Sequence, residues 1–386
     1  MYVSKLSLQH FRIYQALNLD LPRGTTLFYG SNAAGKTTLL EALYYLATTR
    51  SPRASAEREL VSLDATGDLG LPPFARLSAK VEPVKEADPL LLEIMIQRRF
   101  DAEGGLAPAS QKLIRVNRIN RRAIDLIGQL RVVMFAPQDL VLLTGAPADR
   151  RRYLDVTLSQ IDGHYVRSLS RYNQVLSQRN GLLRSWREQR RGGRHDQELS
   201  FWDDELTKAG AYLLRERRRA VAALSELTRA MFADITASDL PFALAYVGTT
   251  EAVDAAAFAA ALRANRREEL DRGMTLIGPH RDDLSITLGG REVGAYGSRG
   301  QQRSATLALR LAEAELMRDR TGDCPVLLLD DLLSELDSRR RDHLLRTIDR
   351  PDQQTLITAT DLDDFAPAFL AGITRMHVEQ GKVFPA

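Results

Sequence analysis

The run GSNAAGKTTLLEALYYL, Gly30 to Leu46, spaces Gly30 four residues ahead of Gly35-Lys36-Thr37. It follows the apolar triplet Leu27-Phe28-Tyr29 and leads into an amphipathic helical pattern, and this strand, loop, helix order separates a phosphate-binding loop from an accident of composition. Glycines let backbone N–H groups turn inward around phosphate oxygens, Lys36 adds a point charge at the outer phosphates, and the following helix presents its positive N-terminus to them. The hydroxyl of Thr37 is then in position to hold Mg2+. The stretch implies a bound nucleotide without saying what the nucleotide is for.

Composition narrows the class. At 386 residues the chain is long enough for a large core and for two domains. An apolar content of 44% and a charged content of 27% describe a soluble globular protein. No apolar run approaches the roughly eighteen residues that span a bilayer, and MYVSKLSLQHFR at the N-terminus scatters its charges instead of forming a secretory block, so no membrane partner is expected. The single cysteine, Cys324, precedes an apolar strand and reads as core packing; with no internal disulfide available, a reducing cytoplasm is the expected setting. Net charge is only +3, but the basic residues are 46 arginines against seven lysines. They cluster at Arg115, Arg118, Arg121 and Arg122 and again at Arg184, Arg187, Arg190 and Arg191, with further groups at 150–152, 215–219 and 263–267. Polyanion binding through phosphate contacts needs clusters of this kind, although each alone also reads as a solvated helix face.

Periodicity changes twice along the chain. Up to about residue 139 it is strand-rich: Val3 to Leu8 alternates, and Leu90 to Phe100 is expected to pair with Lys112 to Ile119 across the turn-rich DAEGGLAPASQ. From about Ala148, the residues Leu154, Leu158, Ile161, Tyr165, Leu169, Tyr172 and Leu176 recur at helical spacing on one face. Gly192-Gly193 breaks that run, and Trp202, Leu206, Ala209, Leu213, Ala220, Leu224, Leu227 and Met231 predict an antiparallel partner helix. After Met274 strands resume, at Met274 to Ile277, Leu284 to Leu288, Val326 to Leu329 and Thr355 to Ile357, with a helix from about Gln302 to Met317. Alternating strands and helices predict a mainly parallel sheet covered on both sides. An α/β nucleotide-binding domain from residues 1–139 and 275–386 is therefore expected around an inserted helical domain at 140–274.

Two further motifs specify the kind of phosphate-loop protein. VLLLDDLLSELD, Val326 to Asp337, is an apolar strand ending in carboxylates, which places Asp330 near Mg2+ and Asp331 where it can polarise a water beyond the γ-phosphate. GSRGQQRSATLALRLAE, Gly297 to Glu313, puts small residues ahead of a long helix and so makes a second anion-binding helix terminus. It lies too far along the fold to share the first loop's phosphates within one subunit, so it is expected to meet them from a partner, with ATP as the glue between two copies.

Together the phosphate loop, the segment Ser298-Arg299-Gly300-Gln301, the pair Asp330-Asp331 and Ser334-Glu335-Leu336-Asp337 resemble the ATPase heads of the ABC class, in the branch of SMC and Rad50-like proteins. The insertion is far too short for that branch's long coiled coils. With Phe11-Arg12-Ile13-Tyr14, the block from Pro137-Gln138-Asp139-Leu140 through Gly145 to Asp155, and Gly278-Pro279-His280-Arg281-Asp282-Asp283, nearly the whole chain is similar to the RecF family.

The resemblance implies a bacterial DNA-repair factor that binds DNA and ATP, dimerises with ATP, hydrolyses it slowly, and works with RecR and RecO to load RecA at gaps. It implies that Gly30, Ser31, Asn32, Ala33, Ala34, Gly35, Lys36, Thr37 and Thr38 cradle the nucleotide, that Arg12 touches it, and that Thr37, Gln138 and Asp330 hold Mg2+. Asp331, Gln138 and Lys36 would be catalytic; Ser298, Arg299, Gly300 and Gln301 would reach the partner's ATP; Asp337 would line the dimer contact. Ile13 replaces the family's usual asparagine, Gln138 stands where the family more often has an acid, Asp331 stands where most ABC heads have glutamate, and Thr360 stands where many have histidine. His280 reads as a structural hydrogen-bonding residue, because the six histidines show no metal spacing. Two other readings stay open: a module that uses ATP only structurally, and a transporter-type ATPase without DNA affinity.

Overall fold

The computed structural model describes the whole chain except residues 67–71, 84–87, 101–105, 190–195, 237–239 and 364. The chain divides into two compact units, 1–139 with 313–386, and 140–312.

The first unit contains two sheets. One has the strand order Lys382–Pro385, Thr374–Glu379, Thr25–Tyr29, Thr355–Ala359, Val326–Leu329, Val132–Phe135; its last five strands run parallel and the first is an antiparallel edge. Its middle strands are apolar runs without alternation, as strands covered on both faces must be, and Val326 to Leu329 are all buried. The other sheet is antiparallel, in the order Tyr14–Asp20, Tyr2–Phe11, Phe74–Glu82, Leu90–Phe100, Leu106–Val116, Ile119–Arg121. Here alternation is plain: Ala75, Leu77, Ala79 and Val81 are buried while Arg76 and Lys80 are exposed. The helix Lys36–Thr48 buries Leu39, Leu40, Leu43 and Leu46 in one core shared with Leu8, Leu77, Ile94, Leu328 and Leu356 of both sheets. The hairpin partner of Leu90–Phe100 begins at Leu106 and ends at Val116, earlier than the sequence suggests. Asn117 and Arg118 have φ of 50° and 66° and form the tight turn into Ile119–Arg121.

The second unit is mostly helical. The apolar series from Leu154 to Leu176 is split between the helices Pro147–Ile161 and Gly163–Gln189, because the Asp162 carboxylate accepts the His164 N–H at 2.7 Å and starts a new helix. The predicted partner is the helix Asp196–Thr236, which runs antiparallel: Arg179 meets Asp203 at one end and Arg217 meets Tyr165 at the other. The break expected at Gly192-Gly193 lies outside the described residues.

Residues 275–312, expected from sequence in the nucleotide-binding domain, group instead with the helices. The strand Asp283–Leu288 does not join the parallel sheet; it pairs antiparallel with Phe242–Val247 and Arg291–Glu292 in a separate three-stranded sheet. Met274 to Ile277 forms no strand. The Met274 N–H goes back to the Glu269 carbonyl at 3.2 Å, and the next two are taken by side chains, Thr275 N–H by Asn180 Oδ1 at 2.8 Å and Leu276 N–H by Glu269 Oε1 at 2.9 Å, so the segment that buries Thr275 and Ile277 is satisfied without a ladder. The helix predicted at 302–317 extends over Arg299–Thr321, and the boundary between units falls inside it.

Candidate nucleotide site

The phosphate loop leaves the C-terminal end of a central strand, with the acid strand two places away and Thr355–Ala359 between them. This is where open parallel sheets place ligands. Gly30 has φ +150, and a Cβ there would collide with the Val378 carbonyl; Gly35 has φ +114 and caps the helix Lys36–Thr48, where a Cβ would come within 2.8 Å of the Tyr14 hydroxyl. Both positions need glycine for conformation and close approach. The Tyr14 hydroxyl donates to Gly35 O at 3.1 Å and Gly381 N–H donates to Ala34 O at 3.1 Å, so the loop is tied from outside.

Lys36 is 8% exposed, and its ammonium donates to Gly30 O at 2.6 Å and Ser31 O at 2.8 Å, leaving a third donor. Burial lowers its pKa, opposed by Asp331 and Asp330. The Thr37 hydroxyl donates to Asp330 Oδ1 at 2.7 Å. Asp330 is 6% exposed and burial raises its pKa, against hydrogen bonds from Thr37 and Thr358. Asp331 takes φ +48, the left-handed region, and the Ser334 hydroxyl donates to its carbonyl at 3.0 Å. Arg12, at φ +54, forms a fork on buried Glu41, Nη2 to Oε1 at 2.8 Å and Nε to Oε2 at 3.2 Å. These groups open onto a cleft of about 270 Å³ that Arg12, Lys36, Thr37 and Asp331 line with Ile13 and Asn32.

Of the sequence candidates, Arg12, Asn32, Ala33, Gly35, Lys36, Thr37, Thr38 and Asp331 line one cleft. Gln138 sits three residues beyond Phe135, whose strand pairs with the acid strand, but its side chain is exposed and is not among the cleft's lining. Two lining residues stand outside every sequence motif, Arg53 and Thr358. Arg53 follows Ser51, whose hydroxyl donates to Glu41 at 2.5 Å, and its sequence signal is no more than its closeness to the end of the loop helix. Thr360, two residues beyond Thr358, is exposed. Asp337 is exposed and caps the helix Ser338–Ile348, accepting the Arg340 N–H at 2.9 Å.

In the second unit Ser298 and Gln301 cap the helix Arg299–Thr321 reciprocally: Ser298 N–H donates to Gln301 Oε1 at 2.8 Å and Gln301 N–H donates to Ser298 Oγ at 3.2 Å. Ser298 and Arg299 are exposed, Gly300 less so. The blocks around Arg150 and Gly278 also meet in this unit, Arg150 gripping Asp283 at 2.7 and 2.8 Å and Arg151 donating to Asp282 O at 2.8 Å. His280 Nε2 faces Thr275 O at 3.2 Å, so the proton sits on that nitrogen and Nδ1 accepts from Tyr172 at 2.7 Å; burial lowers its pKa to about 4. Both ring nitrogens thus have partners within this unit. Cys324 is buried, its thiol within 3.2 Å of Asp352 and pushed up to about 11 by burial.

The arginines sort by use. Arg118, Arg121 and Arg122 are exposed, Arg122 beside Asp125, while Arg115 is held by Glu93 and Asn120. Arg184 and Arg187 are exposed, Arg187 donating to Arg272 O at 2.9 Å; Arg190 and Arg191 lie outside the described residues. Arg217 and Arg218 are spent on internal carbonyls and Asp155.

Fold and site together define an ABC-type phosphate-loop ATPase head of the SMC-like kind. Residues 5–138 match the family model described as AAA domain. The DNA replication and repair protein RecF of Herpetosiphon aurantiacus is 70% identical over 386 residues, covering 100% of both chains, and that of Roseiflexus castenholzii 57% identical over 396 residues, again covering 100% of both. A solved structure of the recombination mediator protein RecF with ATP, in the RecFOR pathway, superposes with a TM-score of 0.85 at 28% identity, covering 100% of this chain and 97% of that one. An Smc head bound to the C-winged helix domain of ScpA shares the fold at a TM-score of 0.52 and 15% identity, over 100% of this chain and 97% of that one. The chain belongs to the RecF family.

Proposed function

We propose that the protein is an ATP-dependent DNA-binding factor of recombinational repair: ATP closes two copies on DNA, slow hydrolysis releases them, and the clamp helps RecA load at gapped DNA with RecR and RecO in the cytoplasm. The observation that carries the nucleotide half is the cleft in which Lys36, Thr37, Asp331 and Arg12 converge. Among the described residues no helix is long and apolar enough to cross a membrane.

The residues fit Mg-ATP. Thr37 and Asp330 offer hard oxygen donors already within 2.7 Å of each other, the ligand type Mg2+ takes alongside phosphates, and Gln138 would complete the set from the neighbouring strand end. Bound Mg2+ would neutralise charge on the outer phosphates. Lys36 directs its remaining donor at the phosphates while two carbonyls hold its ammonium in place. Asp331 orients and polarises a water and takes its proton. Its side chain is one methylene shorter than glutamate, which fits slow turnover, since a misplaced base loses much of its effect. Ser298, whose own O–H is uncommitted to the cap, reaches the partner's nucleotide with Arg299, Gly300 and Gln301, and Asp337 lines the dimer contact.

The test is phosphate release by the full chain with and without DNA. Turnover that Asp331→Asn abolishes supports hydrolysis as the release step; negligible turnover, unchanged by Asp331→Asn, would favour a module that uses ATP only as structural glue.

A further inference from the structure

Parallel pairing sets Leu329 beside Ile357, so the next residue, Thr358, comes to rest against the first residue past the acid strand. Its side chain is 1% exposed, and its hydroxyl touches both acids. It lies 3.0 Å from Asp330 Oδ1, to which it donates, and it accepts the Asp331 N–H at 2.9 Å. Thr37 donates to the same Oδ1, so two hydroxyls, one from the loop helix and one from the neighbouring strand end, fix one carboxylate oxygen. Asp331 meanwhile holds φ +48, a left-handed conformation that a non-glycine residue keeps only where the surroundings hold it. Among the described residues, the Asp331 N–H donates to the Thr358 hydroxyl and the Ser334 hydroxyl donates to the Asp331 carbonyl, bracing this turn on both sides.

We propose that Thr358 is a positioning residue of the hydrolytic centre, which acts through Asp331 and Asp330 and not on the nucleotide. One hydroxyl locks the metal-side acid and keeps the Asp331 backbone in the left-handed turn that sends its carboxylate into the cleft. The inference rests on the ATPase reading above. A buried threonine needing only a hydrogen-bond partner would be satisfied by Leu329 O, 3.4 Å away; the bonds to both acids are what set Thr358 apart.

The experiment compares Thr358→Val, which keeps the shape and removes the hydroxyl, with Thr358→Ser, which keeps the hydroxyl, by steady-state phosphate release and by equilibrium binding of a fluorescent ATP analogue. We expect the valine variant to lose about tenfold or more in kcat while KM and analogue affinity stay within about twofold, and the serine variant to recover most of the loss. Parental kcat in Thr358→Val, equal loss in Thr358→Ser, or loss of nucleotide affinity in step with kcat would each overturn the positioning role. If the valine variant fails to fold by circular dichroism, Thr358→Ala against Thr358→Ser gives the same comparison. A parent chain that releases no phosphate would sink the ATPase reading itself and this claim with it.

Discussion

At the scale of single residues, the site separates holding a nucleotide from consuming it. Among the described residues lining the cleft, Lys36 alone carries an ammonium, so Lys36→Met is predicted to abolish ATP-dependent dimerisation; dimers of normal mass in light scattering would contradict this. Asp331→Asn keeps shape but removes the base, and turnover should fall by on the order of a hundredfold or more with nucleotide binding intact, as single-turnover assays would read. His280 makes a pH prediction. Its folded pKa is about 4 against an ordinary 6.5, so the unfolded chain takes up a proton as pH falls through 6.5 while the folded chain does not. Stability is therefore lost between pH 6.5 and 4, by about 2–3 kcal/mol at pH 4.5. His280→Gln, which keeps a donor and an acceptor, should remove that share of the slope in denaturant titrations compared between neutral and acidic buffer.

At the scale of elements, the signature helix and the helical core test different things. Ser298→Arg puts a bulky cation at an exposed helix start, so the variant should bind ATP as the parent does yet stay monomeric; loss of nucleotide binding by the monomer would count against a role in trans. In the helical unit Arg179 is wholly buried between Asp203 and Glu269, with a third bond to Thr275 at 2.7 Å. Burial raises the Glu269 pKa even beside this arginine. Arg266 also pairs with Asp203, so Arg179→Met strands chiefly the buried Glu269 carboxylate, and it is predicted to cost about 3–5 kcal/mol in chemical denaturation. The same network explains what the sequence hides. The phosphate loop and acid strand are legible because their chemistry is fixed by adjacent residues. Met274 to Ile277 reads as a strand because apolar pattern reports burial, not ladder bonding, and its hydrogen bonds go to Asn180, far upstream, and to Glu269 close by. Thr358 is invisible in the sequence for a related reason: its partners become neighbours only through parallel register.

At the scale of the molecule, a net charge of +3 hides surplus arginine on chosen surfaces. Arg118, Arg121 and Arg122 in the first unit and Arg184 and Arg187 in the second are exposed candidates for phosphate binding. Log affinity for DNA should fall linearly with log salt, and neutralising the cluster that touches DNA should flatten the slope by about one for each phosphate left without its arginine. The most direct test of the central claim is fluorescence anisotropy of labelled duplex and gapped DNA, with and without ATP, alongside light scattering of the same mixtures. The account predicts that ATP produces dimers and tightens DNA binding together; dimers that form with ATP while DNA affinity stays absent would contradict it.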